Sequence, residues 1–292
     1  MTGCRLILLL AVLPFTLSAQ IQDTVSDDGV NTRRLRTVVI GGAAAYSLTL
    51  VGLGHLWYKE SARQSFRFFD DHAEWKQVDK VGHFYSAFYL SYGTSRLLRW
   101  SNVPEEKTIL PAALTGFLLL LPVEILDGYS SDYGASVADL AANAAGAAFF
   151  LGQTLVWKDI RIIPKFSYHA TDFPAKRPEV LGDDFTGRLL KDYNAQTYWL
   201  SFDVDKFFAF PKWLNIALGY GATNMVYAHD EANAIHGFDA YRQYYFSLDL
   251  DLTAIPTRSK ALKTALTVLS IIKIPSPTLE FSKEGTRFHV LY

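Results

Sequence analysis

The chain has 292 residues, half of them hydrophobic and a fifth charged, with a net charge of −1. That composition excludes a disordered chain and leaves a large core or a membrane environment. The near-neutral balance, with no long basic run, excludes an electrostatic footprint for nucleic acid.

Residues 1–19 read as a secretory signal: Arg5, the apolar stretch LILLLAVLPFTL, then a small-residue cleavage site after Ala19. The sole cysteine, Cys4, precedes that stretch, whereas a lipid-modified cysteine would follow it. After cleavage no disulfide, thiol catalysis or cysteine metal site is expected. Residues 20–36 are polar and are expected to be flexible. Four apolar segments follow, over 37–58, 81–98, 109–126 and 137–157. The first and last are long enough to span a bilayer. In the third, Pro111 suits a first helical turn, while Pro122 predicts a kink. The fourth is rich in Ala and Gly and allows close helix approach. Lys or Arg flanks every segment, so charge bias does not orient them. Arg33, Arg34 and Arg36 hold the start of the first segment on the cytoplasmic side, whereas a cleaved signal puts it outside. A helical domain lying on or partly in a membrane fits as well as a spanning bundle.

After Trp157 the hydrophobic period changes to two. In 197–205 Tyr198, Leu200, Phe202 and Val204 share a face. In 214–224 Leu214, Ile216, Leu218 and Tyr220 oppose Asn215, Ala217, Gly219 and Gly221. In 243–253 Tyr244, Phe246, Leu248, Leu250 and Leu252 oppose Ser247, Asp249, Asp251 and Thr253. Residues 163–169 read as a further strand, and TLEFS with TRFHVLY as a closing hairpin around Glu284-Gly285. Residues 259–274 read as a helix closed by Pro275. About six strands fall short of the eight that a single-chain membrane barrel needs. The expected fold is α+β: about four apolar helices in a domain over 37–157, then a β-rich domain over 158–292. The latter is an antiparallel sheet or partial barrel with one late helix, its apolar face covered by helices or lipid. Trp199 and Trp213 suit an interfacial belt or core packing equally.

The apolar helices carry polar residues at helical spacing. Asp79 and His83 are four apart, with Lys80 beside them. Glu124 and Asp127 are three apart. Ser136, Asp139, Asn143 and Gly146 form one stripe. Buried carboxylates cost several kcal/mol unless paired, so the stripes are expected to turn toward one another, Lys80 and His83 compensating the acids. Simpler roles exist. Asp79 can cap its helix, and Ser136 with Asp139 resembles a capping box. The functional alternative is a pocket. His with carboxylates can hold zinc, manganese or iron, or His83 and Glu124 can act as acid and base. The spacing matches no named metal motif, and no cofactor is called for. No Walker loop, dinucleotide fingerprint or nucleophile elbow is present. His55, His72, His169, His229, His236 and His289 stand alone in sequence and read as surface, loop or core.

The blocks DKVGHF (79–84), EILDG (124–128) and SVADLAANAAG (136–146) resemble the YfiM-like family of predicted periplasmic lipoproteins, a domain of unknown function. A looser likeness is to VanZ-like membrane proteins. The resemblance covers about residues 75–157 and implies the bacterial envelope, in the longer form found in Bacteroidota-type bacteria, without implying an activity. The VanZ-like comparison points by analogy to cell-wall or lipid-linked chemistry. This chain departs from the short family members in lacking a lipobox and in its strand-rich extension. Three functions are carried forward. The chain is an envelope protein, outer-membrane or periplasmic rather than inner-membrane, with a structural polar network. Or it is a membrane-associated enzyme acting on a lipid-linked or phosphorylated substrate. Or it is a channel component completed by oligomerisation, with a water-filled lumen lined by Ser247, Asp249 and Asp251. The expected partner is a membrane lipid or envelope component.

Overall fold

The computed structural model describes residues 29–57 and 62–292. The expected signal, and most of the polar segment after it, lie outside the described residues. The chain divides into two compact units. One holds the described residues up to Phe69 together with 87–151; the other holds 70–86 and 152–292.

In the first unit, helix α1 (Thr32–Trp57) starts five residues before the expected position. Asn31 explains this: its Oδ1 accepts the Arg34 amide at 2.9 Å and caps the first turn. Helix α2 (Val78–Trp100) contributes its residues from Ala87 onward. The third apolar segment splits into α3 (Glu105–Leu118) and α4 (Leu121–Gly128). Pro122 is the cause, because it lacks the N–H that would continue the ladder. The carbonyl of Leu119, in the break, accepts the Tyr46 hydroxyl of α1 at 2.6 Å. Helix α5 (Val137–Trp157), which contributes its residues up to Leu151, completes the set. Among the described residues there are thus five helices where about four were expected. Helices α2 and α3 touch backbone to side chain at Gly116, where a Cβ would lie 2.4 Å from the Ala87 carbonyl and 2.0 Å from Ser91 Oγ. Strands β1 (Phe68–Phe69) and β2 (Ala135–Ser136) pair in parallel and tie the segment before α2 to the start of α5.

Three stretches of this helical set are long and apolar enough to cross a membrane by length and composition: Thr32–His55, Glu105–Gly128 and Val137–Trp157. Large apolar side chains project from them unburied, among them Val39, Ile40, Leu48, Val51, Leu114, Leu118 and Val156. Each such side chain left in water forfeits about 1.5–3 kcal/mol relative to burial.

The second unit is built on a six-stranded antiparallel meander: β3 (Ile162–Tyr168), β4 (Gln196–Phe202), β5 (Leu214–Thr223), β6 (Tyr241–Leu250), β7 (Thr278–Ser282) and β8 (Gly285–His289), paired in chain order. The strands fall near where the period of two placed them, except that Val204 leaves β4 and Leu252 and Thr253 leave β6 for 3₁₀ turns, and β8 stops at His289. The sheet does not close on itself. The free edge of β3 is instead paired by the stretch around Ile272, through Phe166 N to Ile271 O at 3.0 Å and Lys273 N to Phe166 O at 2.9 Å. One late helix was expected, and α9 (Lys260–Leu269) provides it. Short helices α6 (Pro178–Leu181), α7 (Phe185–Lys191) and α8 (Asp230–Ile235) were not. A local cap starts α7, where Asp184 Oδ1 accepts the Gly187 amide at 2.6 Å.

The sheet's polarity is inverted relative to a water-soluble fold. Its outward rows are apolar: Leu200–Leu218–Phe246–Leu279–Phe288 lie in one cross-strand register, and Tyr198–Tyr220–Tyr244–Phe281 in the next. Its inward rows carry Lys165–Trp199–Gly219–Tyr245–Glu280 and Ser201–Ala217–Ser247–Thr278. Lys165 Nζ lies 2.5 Å from Asp249 Oδ2, and both side chains are essentially inaccessible. Asp249 also accepts from Ser201 Oγ at 2.6 Å, and Asn215 Nδ2 donates to Ser201 Oγ at 3.2 Å. Lys273 Nζ donates to Ser276 Oγ at 2.7 Å and stands over the Trp199 ring. Lys165 belongs to β3 and Asp249 to β6, which a flat sheet would hold about 14 Å apart, three strand spacings. Their contact therefore requires a strongly coiled sheet. Gly219 makes room for its filling, since a Cβ there would sit 2.6 Å from the Trp199 ring.

This interior corrects the expected lumen. Ser247, Asp249 and Asp251 are buried, not water-lined. They bond to protein groups: Ser247 Oγ to Thr278 Oγ1 at 2.6 Å, Asp249 as above, and Asp251 Oδ1 to the Thr253 amide at 2.8 Å. Trp199 is core, whereas Trp213 projects from the strand end.

Candidate functional site

The residues singled out by spacing fall into two polar sets, one in each unit. In the helical unit, Glu124 sits on α4 and is buried. Its Oε2 accepts the Ser136 amide at 3.2 Å. Ser136 Oγ in turn accepts the Asp139 amide at 3.0 Å, which is the forward half of the capping box at the start of α5. The chain thus brings Glu124 and Asp139 together, with carboxylate oxygens within 4.8 Å of one another. Asn143, one turn further along α5, is fully buried. Asp127 is half-buried one turn after Glu124. Its charge is felt by Tyr133, whose phenol is pushed up to about 12, first by burial and then by Asp127 and Asp132. Two carboxylates this close and this dry repel one another unless a partner offsets them.

In the sheet unit, the segment before α2 and the first turn of that helix form a charged knot. Lys80 Nζ lies 2.5 Å from Asp71 Oδ2 and 2.8 Å from Asp79 Oδ2, all three side chains being nearly buried. The Asp71 and Asp79 carboxylates also approach within 4.8 Å, and Lys80 offsets their repulsion. His83 follows Asp79 by one turn of α2. Trp75, Lys76 and Gln77 occupy the left-handed region, with φ of 48°, 53° and 63°. No glycine relieves this turn, so each residue costs about 1–2 kcal/mol. Surrounding contacts hold it. Trp75 N donates to Ala228 O at 2.8 Å, Lys76 Nζ meets Asp230 at 2.5 Å, and Arg242 Nη2 donates to Gln77 Oε1 at 2.6 Å. The Tyr220 hydroxyl donates to the Lys76 carbonyl. Val78 then enters a small core with Ala222 and Met225.

Asp71 was not among the residues singled out. Its only sequence signal is the acidic pair in FFDDH, a composition typical of loops. The histidines expected to stand alone do not all do so. His229 Nε2 lies 3.2 Å from Glu74, His289 Nε2 2.8 Å from Glu280, and His72 Nδ1 2.6 Å from Asp70. Burial holds the Glu74 carboxyl above its usual range, against the opposing pull of His229. Lys165 and Lys273, which anchor the sheet interior, were also missed, because a lone lysine in an alternating strand reads as surface.

Residues 67–153 match a family described as a predicted periplasmic lipoprotein (DUF2279). No curated protein and no solved structure matches the chain. The matched stretch is less than a third of the chain but contains both polar sets, from Asp71 to Asn143. Over these residues the chain is similar to a cell-envelope family of unknown function.

Proposed function

We propose that this chain is a membrane-associated protein of the bacterial envelope, at the outer membrane or its periplasmic face, in which the two polar sets serve to neutralise charge buried among apolar helices. The observation that carries this reading is the Glu124–Asp139 pair: two buried carboxylates within 4.8 Å, set in helices whose other faces are apolar and unburied. In the other set Lys80 offsets Asp71 and Asp79 in the same way, and the family match joins both sets in one stretch. The YfiM-like character of the three blocks supports the same setting.

The test is thermal unfolding of the full chain in detergent, comparing wild type with Glu124→Gln, Asp139→Asn and His83→Ala, alongside native mass spectrometry and elemental analysis. The network reading expects a bare wild type and changed melting temperatures in all three variants. A metal or lipid retained by wild type and lost from a still-folded variant overturns it in favour of a ligand site.

A second reading makes the chain an enzyme on a lipid-linked or phosphorylated envelope substrate, with His83 and Glu124 as acid and base, roles assigned from the sequence. The left-handed turn at Trp75–Gln77 favours it, because backbone strain concentrates at functional sites. It expects His83→Ala to fold as stably as wild type while losing activity on such a substrate.

A further inference from the structure

We infer that the outward face of the six-stranded sheet is a lipid-contact surface, seated against the acyl chains of a bilayer. This rests on the sheet alone and is independent of the polar sets. The first observation is the inverted polarity. The inward face carries an ion pair and a hydroxyl network, and the outward face carries Leu218, Phe246, Leu248, Leu279 and Phe288, all exposed in the whole chain. Water would drive the opposite arrangement. A hydrocarbon solvent drives this one, since most inward polar groups are then satisfied by protein, Asn215 Oδ1 and Asp249 Oδ1 excepted.

The second observation is the order of the outward rows. Tyr244 and Phe281 stand exposed side by side at one end of the apolar band, while Tyr198 and Tyr220 of the same row pack against the start of α2. At the other end the β4–β5 connection exposes Phe208 and Trp213 beside Lys212. Aromatic residues at both borders of an apolar band are the mark of a bilayer's two interfaces. The central strands β5 and β6 have ten residues each, the length that a tilted strand needs to cross hydrocarbon. A second protein copy would have no use for this banding, because its own complementary face would set the pattern.

The experiment uses the full chain with Cys4→Ser, reconstituted in phosphatidylcholine vesicles. Single nitroxide labels are placed through Phe246→Cys and Leu279→Cys on the outward face and Ile235→Cys on the exposed helix α8. All three positions are partly exposed, so the core is left intact, and the two outward sites check each other. Power-saturation electron paramagnetic resonance then compares collision with oxygen, which concentrates in lipid, and with a water-soluble nickel chelate. The inference expects the outward labels to collide with oxygen and to be shielded at least tenfold from the chelate relative to the Ile235 label. Chelate access equal to that at Ile235 overturns it. So does shielding from both agents together with spin–spin broadening, which would show a second copy on this face.

Discussion

The buried ion pair inside the sheet gives the sharpest test of how this fold is held. Removing the cation by Lys165→Ala leaves Asp249 buried with the Ser201 hydroxyl at 2.6 Å and only the more distant ammonium of Lys273 to offset it. Breaking one partner of such a pair costs about 3–5 kcal/mol. Lys165 also donates to the Leu250 carbonyl at 3.1 Å, and losing that bond adds about 0.5–1.5 kcal/mol. Asp249→Ala should cost about the same, since it strands the ammonium. The double variant Lys165→Met with Asp249→Leu removes both charges and keeps much of the volume, so it should be more stable than either single variant. Equilibrium urea unfolding in detergent, followed by near-ultraviolet circular dichroism, gives the three differences, and the double-mutant cycle gives the coupling. Single-variant losses below about 1 kcal/mol with no coupling would mean that water reaches Asp249. The filled interior would then be refuted and an open lumen restored.

Three further outcomes follow from local geometry. Gly116→Ala should destabilise the helical unit by about 1–3 kcal/mol through its clash with the Ala87 carbonyl, while Gly93→Ala, which meets nothing within 4 Å, should not; thermal melts of the two compare them directly. Gly219→Ala should perturb the sheet similarly by displacing Trp199, seen as loss of the near-ultraviolet tryptophan signal. Asp203 lies 3.0 Å from Lys206, yet burial, aided by Asp205, pushes its carboxyl up to about 7. An acid raised in the folded state is protonated there while ionised in the unfolded chain, so its contribution is favourable at low pH and is lost as pH rises from about 4 through 7. Melting temperature should therefore fall across that window, and Asp203→Asn should flatten the fall.

The strands were legible because a period of two survives any environment. What that pattern cannot state is which of its two faces is inside. Phe246 and Ser247 alternate identically in a soluble sheet and in this one, and only the partners of Ser247 and Asp249 decide the matter. Pro122 announced the break between α3 and α4, because a missing N–H is a covalent fact. The short helices at 178–191 and 230–235 gave no period long enough to read. Within the polar sets, the spacing of Ser136 and Asp139 fixed their hydrogen bond, since one helical turn determines it. Asp71 depends on a tertiary fold of the chain and left no spacing to detect. Neither did the left-handed turn at Trp75–Gln77, where none of the three residues is one that favours positive φ.

The Lys165–Asp249 pair also says something about the order of assembly. Every strand of the meander hydrogen-bonds its sequence neighbour, so hairpins can form one after another with little loop-closure cost. The two charges, however, sit on the first and fourth strands and can meet only after the intervening pair has coiled. Until then each needs water. The sheet thus carries an internal checkpoint: a half-formed meander keeps its ionic face hydrated, and dehydration of that face becomes favourable only when β6 is in place.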